Sequence, residues 1–141
     1  MSISYTPGLF ILPQADIVAG TMDPQRISTM FRAFSDPTRL RILRLLQAGE
    51  CCVGDLVSSL ELPQPSVSRH LAYLRDAGLV AVRKQGLWVY YRLTPAEGAF
   101  HQSLLDCLKC CFDEVPELQA DARRAARLRD SGGCCPEAKQ K

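Results

Sequence analysis

One run of the chain, from Glu50 to Leu93, restricts the fold more than any other feature. It contains a short helix signal (CCVGDLVSSLE), a turn marked by Pro63 and Pro65, and a second helix signal (SVSRHLAYLRDAG). Two β-rich segments follow, LVAVRK and LWVYYRL, which meet at Gln85-Gly86. Two helices joined by a tight turn and followed by a hairpin are typical of a winged helix-turn-helix, whose second helix is suited to a DNA major groove.

Helix signals flank this unit on both sides. Asp23-Pro24 and Asp36-Pro37 each place a good N-cap residue before a proline, which predicts two helices ahead of the unit. Behind the hairpin, Thr94-Pro95 predicts the start of a long helix from Ala96 to about Val115, which Pro116 is expected to break or kink. The predicted fold class is therefore mainly α with a small β-hairpin wing.

The chain divides into three predicted parts. Residues 1–20 form an N-terminal extension, residues 21–116 form the winged helix-turn-helix domain, and residues 117–141 form a basic helix followed by a cysteine-containing tail. No apolar run reaches the length of a membrane span, and the apolar segment Gly8–Leu12 ends at Pro13 without a basic leader. We therefore expect a cytoplasmic protein with no membrane partner.

Charge supports a nucleic-acid partner only locally. The net charge is +2, but the segment from Pro37 to Leu93 holds eight Lys/Arg against four Asp/Glu, which makes it +4 and the remainder −2. Polar residues at the start of the second helix are expected to contact base edges, and basic residues placed at the tip of the hairpin are expected to contact phosphate or the minor groove. These candidate DNA-binding residues are Gln64, Ser66, Ser68, Arg69, Arg83 and Lys84. A solvated helix face and a solvated turn are the alternative interpretations.

The number of cysteines is high for a chain of 141 residues. In a reducing compartment, clustered thiols indicate metal ligands or redox centres more often than structural disulfides. The odd count also argues against a fully paired framework. The seven are Cys51, Cys52, Cys107, Cys110, Cys111, Cys134 and Cys135.

Three motifs together resemble the ArsR/SmtB family of metal-responsive bacterial repressors. The segment Glu50–Leu56 is similar to the family's E-L-C-V-x-D-L pattern, and Gln64–Leu71 is similar to its Q-x-x-V-S-x-H-L recognition helix. The wing motif R-K-x-G-x-x-V-x-Y matches Arg83–Tyr91. The similarity covers about residues 24–112. It implies a homodimer held by the first and last helices, bound to double-stranded operator DNA until an inducer releases it.

The resemblance also suggests where the inducer binds. Zinc-sensing relatives carry a His and an acid, three residues apart, in the last long helix; here those positions are Cys107 and Cys110, and Cys111 adds a third thiol. At about 100° per residue, the three side chains fall within one arc of the helix. Three thiolates without histidine suit trivalent arsenic, As(III) as arsenite, or antimony, Sb(III), whereas cadmium or lead usually recruit a fourth ligand. Free cysteines filling a dimer interface are the alternative.

The remaining cysteines are weaker candidates. The family's third-helix metal site is incomplete here, since Cys52 is followed by Gly54 and Val57 at the next ligand positions. We expect Cys51 and Cys52 to be small, partly buried helix residues. Possible auxiliary metal or redox roles are assigned to Cys51, Cys52, Cys134 and Cys135.

Two other functions compete with a metalloid-responsive repressor. A repressor of the same fold that responds to oxidant, sulfide or persulfide needs only two opposed cysteines, so the third cysteine at helical spacing argues against it. An enzyme has little support, because Cys107 and Cys110 lie inside a predicted helix rather than at a strand-to-helix turn. No catalytic residues and no catalytic cofactor are predicted.

Overall fold

The computed structural model describes residues 22–133. In chain order, the elements are α1 (Pro24–Phe34), α2 (Pro37–Leu46), β1 (Cys51–Cys52), α3 (Val53–Leu60), α4 (Gln64–Asp76), β2 (Val80–Gln85), β3 (Trp88–Leu93), α5 (Ala99–Cys111) and α6 (Pro116–Asp130). The mainly helical class with a β-hairpin wing is confirmed. Within residues 22–133, no helix combines the length and the apolar character needed to cross a membrane.

The predicted helix starts at α1 and α2 are confirmed. The side chain of Asp23 accepts a hydrogen bond from the Arg26 N–H at 2.7 Å, and Asp36 accepts one from the Arg39 N–H at 3.0 Å. Each carboxylate thereby satisfies one of the N–H groups that a helix leaves unpaired in its first turn. The proline that follows each cap loses nothing, because its position needs no N–H donor.

The sheet has one strand more than the sequence predicts. Its order is β1-β3-β2, all antiparallel, and Cys51 and Cys52 pair with Tyr91 and Tyr90 of the wing. The predicted helical placing of Cys51 and Cys52 is therefore wrong. Cys52 is instead the N-cap of α3, and its sulfur accepts from the Asp55 N–H at 3.4 Å.

One core holds the helices and the wing together. Leu43 of α2, Leu56 of α3 and Leu71 of α4 are fully buried in it. Leu108 of α5 and Ala125 of α6 belong to the same cluster. Helices α3 and α4, the cysteine-bearing helix α5 and the C-terminal helix α6 therefore share one packed interior.

The boundaries of α5 differ from those predicted. The helix starts at Ala99 instead of Ala96, because the Thr94 hydroxyl does not cap it but donates to the Gly78 carbonyl oxygen at 2.7 Å. It ends at Cys111 rather than near Val115. Pro116 does not kink a continuing helix; it occupies the first turn of α6, where proline is well tolerated.

Gly78 is expected to be one of the least replaceable glycines. Its φ is +78°, and an added Cβ would lie 2.5 Å from Nη2 of Arg26. We expect Gly78→Ala to lower the free energy of unfolding by at least the cost of a left-handed alanine, about 1–2 kcal/mol. Gly86, with φ +61° and nothing within 4 Å of an added Cβ, provides the control. The difference in the free energy of unfolding between the two variants, measured by urea denaturation, is the contribution of the contact with Arg26. Equal decreases in both variants would show that the Arg26 side chain moves away from the added methyl group.

Candidate functional site

The first turn of α4 presents polar groups to solvent. Gln64 and Arg69 are exposed, and Ser66 and Ser68 are half-buried. The helix is anchored from behind by Val67, Leu71 and Leu74, all fully buried. No side chain caps this helix. Its start therefore combines polar side chains with the positive end of the helix dipole, an arrangement suited to phosphate and base edges.

The wing places its two basic residues differently from one another. Arg83 pairs with Tyr90 inside the hairpin, so the predicted placing at the tip is wrong for this residue. Its guanidinium donates to both carboxylate oxygens of Glu50, at 2.7 and 3.1 Å, and lies 4.4 Å above the Tyr90 ring. Lys84 is exposed and nearer the turn, where Leu87 is 98% exposed. The sequence analysis did not identify Leu87 as a tip residue, because an apolar residue next to a turn is read as part of a strand.

The α5 cysteines lie on an exposed side of the helix. Cys107 and Cys110 are free thiols and both are exposed, whereas Leu108 between them is fully buried. The side chain of Cys111 and the whole of Cys134 and Cys135 fall outside the described part of the chain. In that part, no three His, Cys, Asp or Glu side chains are grouped as a metal site. Two of the three predicted soft ligands are therefore positioned one helical turn apart.

Cys51 and Cys52 belong to a different part of the molecule, at the junction between α3 and the wing. Cys51 is a free, half-buried thiol. Burial, reinforced by the negative charge of Asp55, raises the pKa of Cys51 to about 11, so it remains a neutral thiol near pH 7. Cys52 is 2% exposed and is disulfide-bonded.

Two polar contacts connect α5 to α2. Gln47, the C-cap of α2, donates from Nε2 to the Leu105 carbonyl oxygen at 2.7 Å. Arg44 pairs with Asp113, just beyond the end of α5, at 2.7 Å. These contacts bracket the cysteine segment on both sides. Sequence reasoning missed them because neither residue forms a recognisable motif.

An aromatic pair lies between α1 and α5. The rings of Phe31 and Phe100 meet edge to face, with centroids 5.3 Å apart. Phe31 is nevertheless 54% exposed. Phe100, Ser103, Cys107 and Cys110 follow a 3-4-3 spacing, which places them along one side of α5. Helices α1 and α5 therefore expose a joint surface that begins with apolar rings.

This arrangement defines a winged helix-turn-helix DNA-binding protein: a supported recognition helix, a three-stranded sheet with a wing, and flanking helices. Residues 36–82 match the model of the bacterial regulatory proteins of the arsR family. The arsenical resistance operon repressor of Escherichia coli K12 is 45% identical over 104 residues, covering 73% of this chain and 87% of that protein. The chain therefore belongs to the arsR family of bacterial regulatory proteins. It is an ArsR-type transcriptional repressor that binds DNA, and it is not an enzyme.

Two further similarities agree with this assignment. The arsenic resistance transcriptional regulator ArsR1 of Pseudomonas putida KT2440 is 51% identical over 101 residues, which cover 70% of this chain and 77% of that protein. Among solved structures, HlyU from Vibrio cholerae N16961 superposes with a TM-score of 0.57 at 33% identity, over 64% of this chain and 98% of that one. The fold predicted from the sequence is thus also that of HlyU.

Proposed function

We propose that this repressor binds a pseudo-palindromic operator as a homodimer in the cytoplasm and is released when trivalent arsenic, or antimony, binds Cys107, Cys110 and Cys111. The observation that carries the proposal is the pair of free, exposed thiols of Cys107 and Cys110 on one side of α5. Thiolates are soft donors and favour thiophilic ions over Mg²⁺ or Ca²⁺. The names of the Escherichia coli and Pseudomonas putida relatives, which refer to arsenic resistance, support arsenic as the inducer.

The dimer is proposed to form through α1 and α5. Phe31 exposes more than half of its surface beside Phe100, and a second copy would bury both rings. Burial of apolar surface of this kind contributes roughly 25 cal/mol per Å². Because Cys107 and Cys110 continue the same side of α5, the thiols lie at or beside this interface. Binding of the inducer at the cysteines would then change contacts at the interface between the two subunits.

Release is proposed to follow from a local distortion of α5. Drawing three sulfurs of one helix around one atom requires the backbone near residues 107–111 to depart from regular helical geometry. Gln47 holds the Leu105 carbonyl and Arg44 holds Asp113, so α2 is attached on both sides of that segment. Since α2 and α4 pack in one core, the distortion alters the positions of the two recognition helices in the dimer.

The direct test is fluorescence anisotropy of the reduced protein on a labelled palindromic operator. Arsenite, antimonite, cadmium, lead, zinc, a peroxide and a polysulfide are titrated in parallel. Release by arsenite or antimonite at stoichiometric levels, reversed by a competing dithiol, is the expected result. Release only by peroxide or polysulfide would replace the metalloid inducer with a thiol switch, and release only by cadmium or lead would replace it with a divalent-metal sensor.

The DNA interface makes a prediction of its own. Arg69 is exposed on the recognition helix, so Arg69→Ala should reduce discrimination between operator and mismatched DNA by about 1–3 kcal/mol. Lys84 is exposed on the wing, so Lys84→Ala should weaken binding similarly on all sequences and reduce the slope of log K against log salt by about 1. Affinities measured at several salt concentrations distinguish the two roles, and a sequence-specific loss for Lys84→Ala would contradict the assignment.

A further inference from the structure

The wing carries most of the exposed large apolar side chains of the described chain. In residues 22–133, five large apolar side chains are exposed, and three of them, Leu87, Trp88 and Val82, belong to the hairpin. Leu87 is 98% exposed, whereas the next in order, Phe31, is 54% exposed. Isolated exposed apolar residues are common on protein surfaces, but several on one projecting element indicate a surface that contacts another molecule.

The backbone of the hairpin fixes Leu87 at the outermost position. Gln85 and Trp88 pair across the strands, which leaves Gly86 and Leu87 as a two-residue turn. Gly86 has φ +61°, a conformation that costs glycine little and that two-residue hairpin turns favour at this place. Apart from its chain neighbours, no atom of the described chain lies within 4 Å of a Cβ added to Gly86, so this side of the turn is open. The leucine side chain is therefore available to a partner.

The wing is long enough to reach the groove next to the one proposed for α4. Its base is anchored, since Val80 is buried in the core and Leu93 packs against it. From this base β2 runs over six residues to Gln85, which corresponds to about 20 Å of strand. Half a turn of B-DNA, the separation of a major groove from the next minor groove, is roughly 17 Å. With the first turn of α4 in the major groove, the tip of the wing can therefore lie at the adjacent minor groove.

The tip fits this groove by shape and by charge. The minor groove is about 6 Å wide, which admits a side chain on a turn but not a helix or a two-stranded ribbon. Lys84 is exposed on the same hairpin and supplies a positive charge for the phosphates at the edge of the groove. We propose that Leu87 enters the minor groove beside the recognition-helix contact and gives the repressor a preference for base pairs that lack the guanine amino group.

The preference follows from the chemistry of leucine. Its side chain has no hydrogen-bond acceptor, and at a G·C pair it would cover the N2 amino group, which projects into the minor groove. Burying that donor without a partner opposes binding. A·T pairs lack the group, so an apolar side chain packs deeper against the deoxyribose walls there, as apolar wedges do in other minor-groove complexes. Leu87 is thus a specificity-determining residue in addition to those of α4.

Two substitutions at position 87 distinguish an apolar contact from a side chain that remains in solvent. Leu87→Ala removes most of the apolar side chain and should weaken binding to labelled operator by about tenfold for each bound wing. Leu87→Met keeps the apolar volume and should bind like wild type. The slope of log K against log salt should be unchanged in both variants, because no charge is removed. Equal affinities of Leu87→Ala and wild type, or an equal loss in Leu87→Met, would overturn the proposal.

Base analogues test the minor-groove contact directly. In an operator selected by the wild-type protein from random duplexes, inosine replaces guanine at each position flanking the recognition-helix site. This change removes the N2 amino group from the minor groove and leaves the major-groove edge unchanged. Wild type and Leu87→Met should bind more tightly when the pair under the wing is I·C instead of G·C, and Leu87→Ala should lose most of this difference. A preference of the same size in Leu87→Ala, or none in wild type, would contradict the proposal.

Trp88 provides an optical probe beside Leu87, because it is the only tryptophan of the chain. Acrylamide quenching of its fluorescence should decrease when operator saturates the protein, and the decrease should be smaller in Leu87→Ala. Unchanged quenching of the wild-type protein on operator would show that the tip stays in solvent, against the proposal. Since Leu87 is 98% exposed, both variants should unfold at the wild-type urea midpoint. All measurements are made without arsenite, so their outcome does not depend on which inducer releases the repressor.

Discussion

Replacement of Cys110 by serine is expected to abolish arsenite-induced release while leaving operator binding at the wild-type level. Serine conserves the size of the side chain but replaces a soft sulfur with a hard oxygen, which removes one of the three proposed donors. Cys110 is exposed, and its substitution therefore leaves no cavity in the core. The measurement is fluorescence anisotropy on labelled operator, with and without arsenite. Release of the variant at the wild-type arsenite concentration would show that the inducer binds elsewhere.

Cys51→Ser is the matched control for this variant. Cys51 is also a free thiol, but it lies in β1 at the base of the wing and not on α5. Its substitution should leave both operator affinity and arsenite-induced release unchanged. If Cys51→Ser and Cys110→Ser lose the response to the same extent, the inducer site includes the third-helix region that the sequence presents as incomplete.

The sequence predicts those elements whose signals are local. The caps Asp23 and Asp36 act within three residues of their own position, and both were identified correctly. The periodicity of α3 and α4 and the alternating wing strands likewise depend on near neighbours. These local patterns locate the recognition helix and its polar first turn. This part of the candidate site is therefore predictable from the sequence.

The predictions are wrong where the local structure depends on a residue that is distant in the sequence. Cys51 and Cys52 are drawn into a strand by pairing with Tyr91 and Tyr90, which follow them by about 40 positions in the sequence. Thr94 does not cap α5, because its hydroxyl donates a hydrogen bond to the carbonyl oxygen of Gly78. In each case a tertiary hydrogen bond outweighs a weak local preference.

Arg83 illustrates the same limit within the candidate site. In the sequence, Arg83 and Lys84 form a basic pair beside a turn, and both side chains are expected to be equally accessible to a DNA phosphate. Only the folded chain brings Glu50 to the guanidinium of Arg83. The cost of breaking that ion pair is therefore part of any contact between Arg83 and DNA, whereas exposed Lys84 has no such cost in the described structure.

Helix α6 presents the largest difference between sequence and structure. Its sequence, PELQADARRAARLRD, predicts a basic helix and marks none of its charged residues as buried. In the structure the Asp121 side chain is 1% exposed and lies between two arginines. It accepts from Arg41 at 2.8 and 2.9 Å and from Arg124 at 2.5 Å. The hydrogen bonds that Arg41 donates to the Asp121 carboxylate raise the pKa of Arg41 above its ordinary value, so its guanidinium remains charged. A charged residue in this segment is thus a central anchor of α6.

Asp121→Asn is accordingly expected to lower the free energy of unfolding by about 3–5 kcal/mol. The amide keeps the volume of the carboxylate, but it removes the negative charge and turns an NH₂ group towards the guanidinium groups. The side chains of Arg41 and Arg124 are only 12% and 23% exposed, so water cannot fully replace the lost partner. Both arginines also donate to carbonyl oxygens at the end of α3, Leu60 at 2.7 Å and Ser59 at 2.6 Å. The substitution therefore weakens the attachment of α6 to the DNA-binding unit.

Glu117→Gln separates this effect from a general loss of negative charge on α6. Glu117 lies 3.3 Å from the same Arg41, but its side chain is 63% exposed, and such pairs contribute about 0–1 kcal/mol. Urea denaturation of the reduced protein should therefore give a much lower free energy of unfolding for Asp121→Asn than for Glu117→Gln. In Asp121→Asn, the rate of amide hydrogen exchange should increase selectively in α6. Equal stability of the two variants would show that α6 is held by its apolar contacts at Leu118 and Ala125 alone.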